Sequence, residues 1–190
     1  MKKILAIIVL AALTFGANAQ KMKGSVEGLK GQTSINVTFN YDGMKYDGDT
    51  EAEFLADKTK GESNADEIKA NWTNNYRVNT WQPAFVKSFN EETTNLNLVA
   101  AEGAKAEYTI NVKINDIDPG NFAGPFSNPS KIYAEITIVK TGSTEAIVTI
   151  PFDKFPGNPY VMTPVDEVRV KSAFEQIGEA LGKILSKKIK

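Results

Sequence analysis

Apolar residues along this chain fall into three kinds of pattern, and each change of pattern marks an element. Ile4 to Phe15 is an apolar stretch interrupted only by Thr14. Residues 20–32 carry Gly24, Gly28 and Gly31, with only Val26 and Leu29 as apolar weight, which predicts a flexible N-terminal arm. Then Ile35, Val37, Phe39 and Tyr41 alternate with Asn36, Thr38 and Asn40. That two-residue period is the mark of a half-buried strand. The strand closes at Asp42-Gly43, and a second turn signal, Asp47-Gly48, follows in the local echo YDGMKYDG.

From Ser63 to Thr94 the period becomes helical. Ile68, Trp72 and Tyr76 are spaced by four, and so are Trp81, Phe85 and Phe89. At about 100° per residue the two sets would face nearly opposite ways on one continuous α-helix. The pattern therefore predicts a break near Arg77 to Thr80, with Thr80 as N-cap and Pro83 in the first turn of a second helix. Tryptophans at helical spacing predict core packing more than a platform for sugars.

Alternation returns in Tyr108, Ile110, Val112 and Ile114, and again in Ile132, Ala134, Ile136 and Ile138. Thr141-Gly142-Ser143 reads as a tight turn into Ala146 to Phe152, and Leu96 to Val99 as another short strand. Clean alternation predicts antiparallel strands with one solvated face. Near the end, Thr163-Pro164-Val165-Asp166 supplies an N-cap, a first-turn proline and an acid facing the helix dipole. Val170, Ala173, Phe174, Ile177, Leu181, Ile184 and Leu185 then form one stripe, with Gly178 and Gly182 on its flank. The predicted fold is α+β: a mostly antiparallel sheet of about four to five strands, a helical region after the first strand, and a C-terminal amphipathic helix packed on one face.

The N-terminal apolar stretch is too short to cross a hydrocarbon core of about 30 Å. Lys2 and Lys3 before it and Ala17-Asn18-Ala19 after it complete a secretory signal peptide over residues 1–19, cleaved before Gln20. The expected organisation is signal peptide 1–19, flexible arm 20–32 and a single α+β domain 33–190. The expected location is outside the cytoplasm: periplasmic, outer-membrane-associated or secreted.

Composition narrows the chemistry. The chain has no Cys, so it has no disulfide and no lipid anchor on cysteine, and its export without disulfides suits a bacterial envelope. Without Lys2 and Lys3 it carries 20 basic residues against 23 acidic, a formal charge of −3. That balance argues against nucleic acid as partner, which selects a concentrated basic surface. Having neither His nor Cys, it lacks the usual triads and dyads and the usual ligands of zinc, haem and iron–sulfur sites. No cofactor and no catalytic residue is expected.

Three segments could carry function. Asp47, Asp49 and Glu51 alternate as calcium loops do, but Ala52 and Lys58 stand where glycine and glutamate are required, so a solvated acidic turn is expected. Asp116 and Asp118, two apart on a strand, lie on one face and could pair for glycoside hydrolysis, yet Asp118-Pro119-Gly120 is ordinary turn chemistry. The loop from Asp118 to Ser130, rich in Pro, Gly and Asn, is the candidate partner-binding loop through Asp118, Gly120, Phe122 and Phe126. A similar loop from Asp153 to Thr163 holds Phe155 and Tyr160.

The segments PAFVKSFNEET (83–93), AEYTINVKINDIDPGN (106–121), EITIVKTGST (135–144) and VRVKSAFEQIGEALGKIL (168–185) make the chain resemble the small exported α+β domains grouped as DUF4410-like and DUF4136-like, and more remotely the TolB N-terminal domain. The resemblance implies a non-enzymatic envelope module that binds other proteins, and it carries no functional residues. Members of such families are mostly lipoproteins, an attachment this cysteine-free chain cannot share. The functional expectation is an exported module binding an unidentified protein of the cell envelope. Its rivals are a carbohydrate- or lipid-binding protein using Trp72, Trp81 or the Phe122 and Phe126 loop, and a carboxylate-dependent hydrolase.

Overall fold

A computed structural model describes residues 22–189; the signal peptide expected over residues 1–19 lies outside them. The fold is α+β, an open sheet with helices over one face. Among the described residues eight strands form the sheet: β1 (Lys23–Gly24), β2 (Ser34–Asn40), β3 (Lys45–Tyr46), β4 (Asp49–Thr50), β5 (Val99–Glu102), β6 (Tyr108–Asp118), β7 (Lys131–Lys140) and β8 (Ala146–Pro156). The main order is β1-β8-β7-β6-β2-β5, with β3 beside the far end of β6 and β4 paired to β3.

This corrects the expected count of four to five strands and the expected antiparallel character. β6, β7, β8 and β1 are antiparallel, but β2 runs parallel to both β5 and β6, and β3 runs parallel to β6. The reason is physical. Alternation reports that one face of a strand is wet, not which way its neighbour runs. Here helices cover one face only, so a parallel β2 alternates as cleanly as an antiparallel strand would. The extra strands, β1, β3 and β4, have two residues each, too few to show any period.

The helices are α1 (Glu51–Lys58), α2 (Ala65–Ala70), α3 (Gln82–Glu92) and α4 (Asp166–Lys188). Between α2 and α3 the helix does not break. Asn71–Trp81 is wound as a π-helix. Its five-residue hydrogen bonds bring i and i+5 into line, as when the Gln82 amide donates to the Arg77 carbonyl. The five-residue step from Tyr76 to Trp81 therefore stays on one face, and their rings meet at 5.9 Å. Ile68, Trp72, Tyr76, Trp81, Phe85 and Phe89 thus belong to one re-phased helical path.

α4 lies on the sheet and on α3. Phe174 is buried between Trp81, stacked at 5.6 Å, and Phe39 of β2 at 6.5 Å. Gly178 and Gly182 face α3 so closely that a Cβ at Gly178 would overlap the Phe85 carbonyl. The helix begins at Asp166 with Val165 as its cap, two residues later than a Thr163 cap would place it. At the open edge β5, Asn90 of α3 accepts from the Ala100 amide (2.7 Å) and donates to its carbonyl (3.0 Å), while Thr93 donates to the Leu98 carbonyl (2.8 Å). Helical side chains thereby occupy backbone groups that a new strand would need.

The arm expected over residues 20–32 differs in its described part. Lys23 and Gly24 pair with Thr149 and Val148 of β8, and Val26 and Leu29 are buried in the core. Two apolar side chains among glycines are enough when both reach the core.

Candidate functional site

The irregular segments gather at one end of the sheet, where β6 ends and α4 begins. Arg169, in the first turn of α4, organises them. Its Nε donates to the Pro119 carbonyl (2.9 Å), Nη1 to the Thr163 carbonyl (2.6 Å) and Nη2 to the Gly120 carbonyl (3.4 Å). One buried guanidinium thus ties the loop after β6 to the loop after β8. Ser130, fully buried, donates to the Arg169 carbonyl at 2.5 Å, and Ser172 donates to it at 2.7 Å. The Gly157 amide donates to the Ser130 carbonyl at 2.8 Å, closing the second loop onto the first.

The candidate loop is built as a finger. Asn121 and Asn128 exchange backbone hydrogen bonds, both at 3.2 Å, and the Asn121 side chain accepts from the Asn128 amide at 2.8 Å. A short 3-10 turn, Gly124–Phe126, forms the tip, and Ser127 Oγ accepts from the Ala123 amide. Phe126 is 80% exposed and Phe122 47%. On the second loop Tyr160 is 75% exposed and Met162 59%, with Val165 and Val168 exposed beside them. Phe155 packs against the core, meeting Phe152 edge-on at 5.1 Å.

The four residues singled out in the sequence divide by role. Phe122 and Phe126 present apolar surface. Asp118 and Gly120 hold the base of the finger: Asp118 accepts from Lys131 Nζ at 2.9 Å and from the Gly120 amide at 2.8 Å. Partial burial would raise its carboxyl, but Lys131 and the Gly120 amide hold it below the ordinary range. Asp116, two residues earlier, goes the other way. Burial raises it, and its buried Oδ1 has no partner among the described residues. Asp118 is thus engaged at the base of the finger, whereas Asp116 is not.

The same end carries a second cluster under α1. The Asp47-Gly48 turn takes positive φ at both positions, 55° and 90°, the geometry of a tight two-residue hairpin. Thr50 then caps α1 in a full capping box with Glu53. Glu51 turns inward and accepts from Trp72 Nε1 at 2.7 Å and from Arg77 Nη2. The acids of Asp47 to Glu51 are therefore split between turn, surface and interior. Among the described residues no group of three or more His, Cys, Asp or Glu side chains could hold a metal ion.

Around this pair stands an aromatic wall. Tyr46 lies 4.5 Å from Phe54, 4.7 Å from Trp72 and 6.5 Å from Trp81, and its hydroxyl donates to Asp166 at 3.1 Å. Burial pushes both Tyr41 and Tyr46 well above the usual phenol range. Trp72 and Trp81 are 3% and 0% exposed, so neither indole offers a face to a sugar. Trp81 Nε1 donates to the Glu167 carbonyl at 3.2 Å.

Sequence reasoning placed Tyr160 on the second loop and Glu51 in an acidic turn, but missed Arg77, Met162 and the inward role of Glu51. One compositional signal was present: of 22 basic residues only Arg77 and Arg169 are arginine. Arg is the cation suited to burial, because its planar fork can satisfy several acceptors at once. Both are buried.

No family model, no curated protein and no solved structure matches the chain.

Proposed function

We propose that this chain is a non-enzymatic, exported module of the cell envelope that docks another protein through the two loops at the α4 end of the sheet. The observation that carries this is the paired display of Phe122 and Phe126 on one loop and Tyr160 and Met162 on the other, all exposed, over a buried Arg169 anchor. Isolated exposed apolar residues are ordinary. Several on two loops fixed by one guanidinium, with the finger braced by its own hydrogen bonds, form a preorganised surface of the kind interfaces use. Aromatic and Met side chains are also what interface centres favour. The export signal expected over residues 1–19 and the resemblance to small exported α+β domains support the same reading. N-terminal sequencing of the native protein should begin at Gln20.

A photocrosslinking amino acid at position 126 or 160, in the protein expressed in its own cells, should trap one partner. The same probe at position 140, on the far turn of the sheet, should trap none. Equal trapping at all three positions, or none at 126 and 160, would defeat the reading. Phe126→Ser with Tyr160→Ser should abolish capture and leave the melting temperature within about a degree, since exposed sites contribute little to stability.

A further inference from the structure

The two buried arginines are held differently. Arg169 has three carbonyl partners. The Arg77 side chain is just 10% exposed, and among the described residues Glu51 is its one carboxylate partner, engaged through Nη2 alone. Its Nε is buried with no hydrogen-bond partner among the described residues. On a guanidinium, Nε and Nη2 form the side-on fork that takes a carboxylate through both oxygens. Glu51 fills half of that fork. A buried donor left unpaired costs free energy that a better-seated acid would recover.

The walls of this seat suit an anion with an apolar body. The guanidinium stands 4.3 Å from the centre of the Tyr41 ring and 5.5 Å from that of Trp72. Trp72 Nε1 is a further donor, at present given to Glu51. Beside it a groove of about 140 Å³ is lined by Phe54, Ile68, Trp72 and Tyr76, with Lys58 and Asp166 among its polar lining. That volume suits a single ring or a short alkyl chain.

The group occupying the seat belongs to the least-anchored helices of the molecule. Neither α1 nor α2 buries a single residue. α1 is bracketed by Gly48 and Gly61, both at positive φ with open space around them. A second groove, about 430 Å³, runs along its other side past Gly43, Met44 and Leu55. α1 is thus bordered by space on two sides and held by Glu51, Phe54 and Leu55.

We propose that Arg77, Trp72 and Tyr41 form a binding seat for the carboxylate of a small organic acid with an apolar tail. Glu51 fills the seat as a tethered stand-in, and α1 is the lid whose shift lets such a ligand take its place. The seat is separate from the loops bearing Phe126 and Tyr160, so the crosslinking result there leaves it untouched.

Phenylacetate is a suitable probe, with 2-phenylethanol as its uncharged counterpart. Tryptophan fluorescence should report saturable binding of phenylacetate and at least about tenfold weaker binding of the alcohol, as a charge-assisted contact requires. Glu51→Gln keeps the shape of the side chain and an acceptor for Trp72 while removing the competing charge. It should tighten phenylacetate binding by about tenfold, and Arg77→Gln should remove it. Hydrogen exchange on the parent chain supplies a reading that needs no variant. Residues 51–70 should exchange by an opening that leaves β6 and β7 protected, and phenylacetate should increase exchange in 51–58. Equal affinity for acid and alcohol, no saturable binding of phenylacetate to the parent or to Glu51→Gln, or exchange of 51–70 only with the sheet would overturn the proposal.

Discussion

α4 and the α1–α2 pair show how differently two helical regions of one chain can be secured. α1 has the better local start, a full capping box between Thr50 and Glu53. α4 starts from Val165, which makes no side-chain cap. Yet α4 buries ten of its 23 residues, and α1 and α2 together, 14 residues long, bury none. A cap sets where a helix begins and is worth about 1 kcal/mol. The apolar stripe decides whether the helix is fixed to the body, because each large buried side chain is worth about 1.5–3 kcal/mol. The first helix is well specified and loosely held, and the last is plainly begun and firmly held.

That contrast can be broken by substitution. Phe174→Ala should cost about 3–5 kcal/mol in a denaturant titration, through lost burial and the cavity left beside Trp81 and Phe39. A midpoint equal to the parent's would mean that α4 is not part of the core at all. Gly178→Ala should be destabilising by about 1–3 kcal/mol although alanine is the better helix former, because its methyl group meets the backbone of Phe85. A stabilised variant would show that α3 and α4 can move apart. Thr50→Ala should have the smallest global effect. It should loosen α1 by about 1 kcal/mol, seen as faster amide exchange over residues 51–58, while the denaturation midpoint of the whole protein stays where it was. A midpoint that falls with it would place α1 in the cooperative core.

Much of the architecture is legible in the residues. The alternation over Tyr108–Ile114 and Ile132–Ile138 corresponds to β6 and β7, and the stripe through Phe174 and Ile177 to the buried face of α4. The direction of β2 is not legible, since its partners β5 and β6 are chosen by packing of the helices between them. The π-helix left a trace that was open to two readings. A step of five between Tyr76 and Trp81, with neither Gly nor Pro between Ala65 and Gln82, marks a change of winding as well as it marks a break. Phe122 and Phe126 could be named because a loop rich in Gly and Pro frames them. Arg77 and Glu51, 26 residues apart, share no motif. Their meeting depends on how the Asp47-Gly48 hairpin aims α1, which no local pattern records.

The parallel pairing of β2 also sets an order of assembly. Asn36 finds its side-chain partner Thr109 73 positions later, and Lys23 waits for Thr149. Contacts so distant in sequence are slow to form, because the intervening chain must first be ordered. A chain emerging N-terminus first can coil its helices early, but the sheet has no centre until β6 arrives and no far edge until β8 does. Of the N-terminal strands, β3 and β4 can pair at once, β2 must wait for β5 and β6, and β1 stays unpaired until β8 has emerged, so the sheet is completed last at the edge that comes first in the chain.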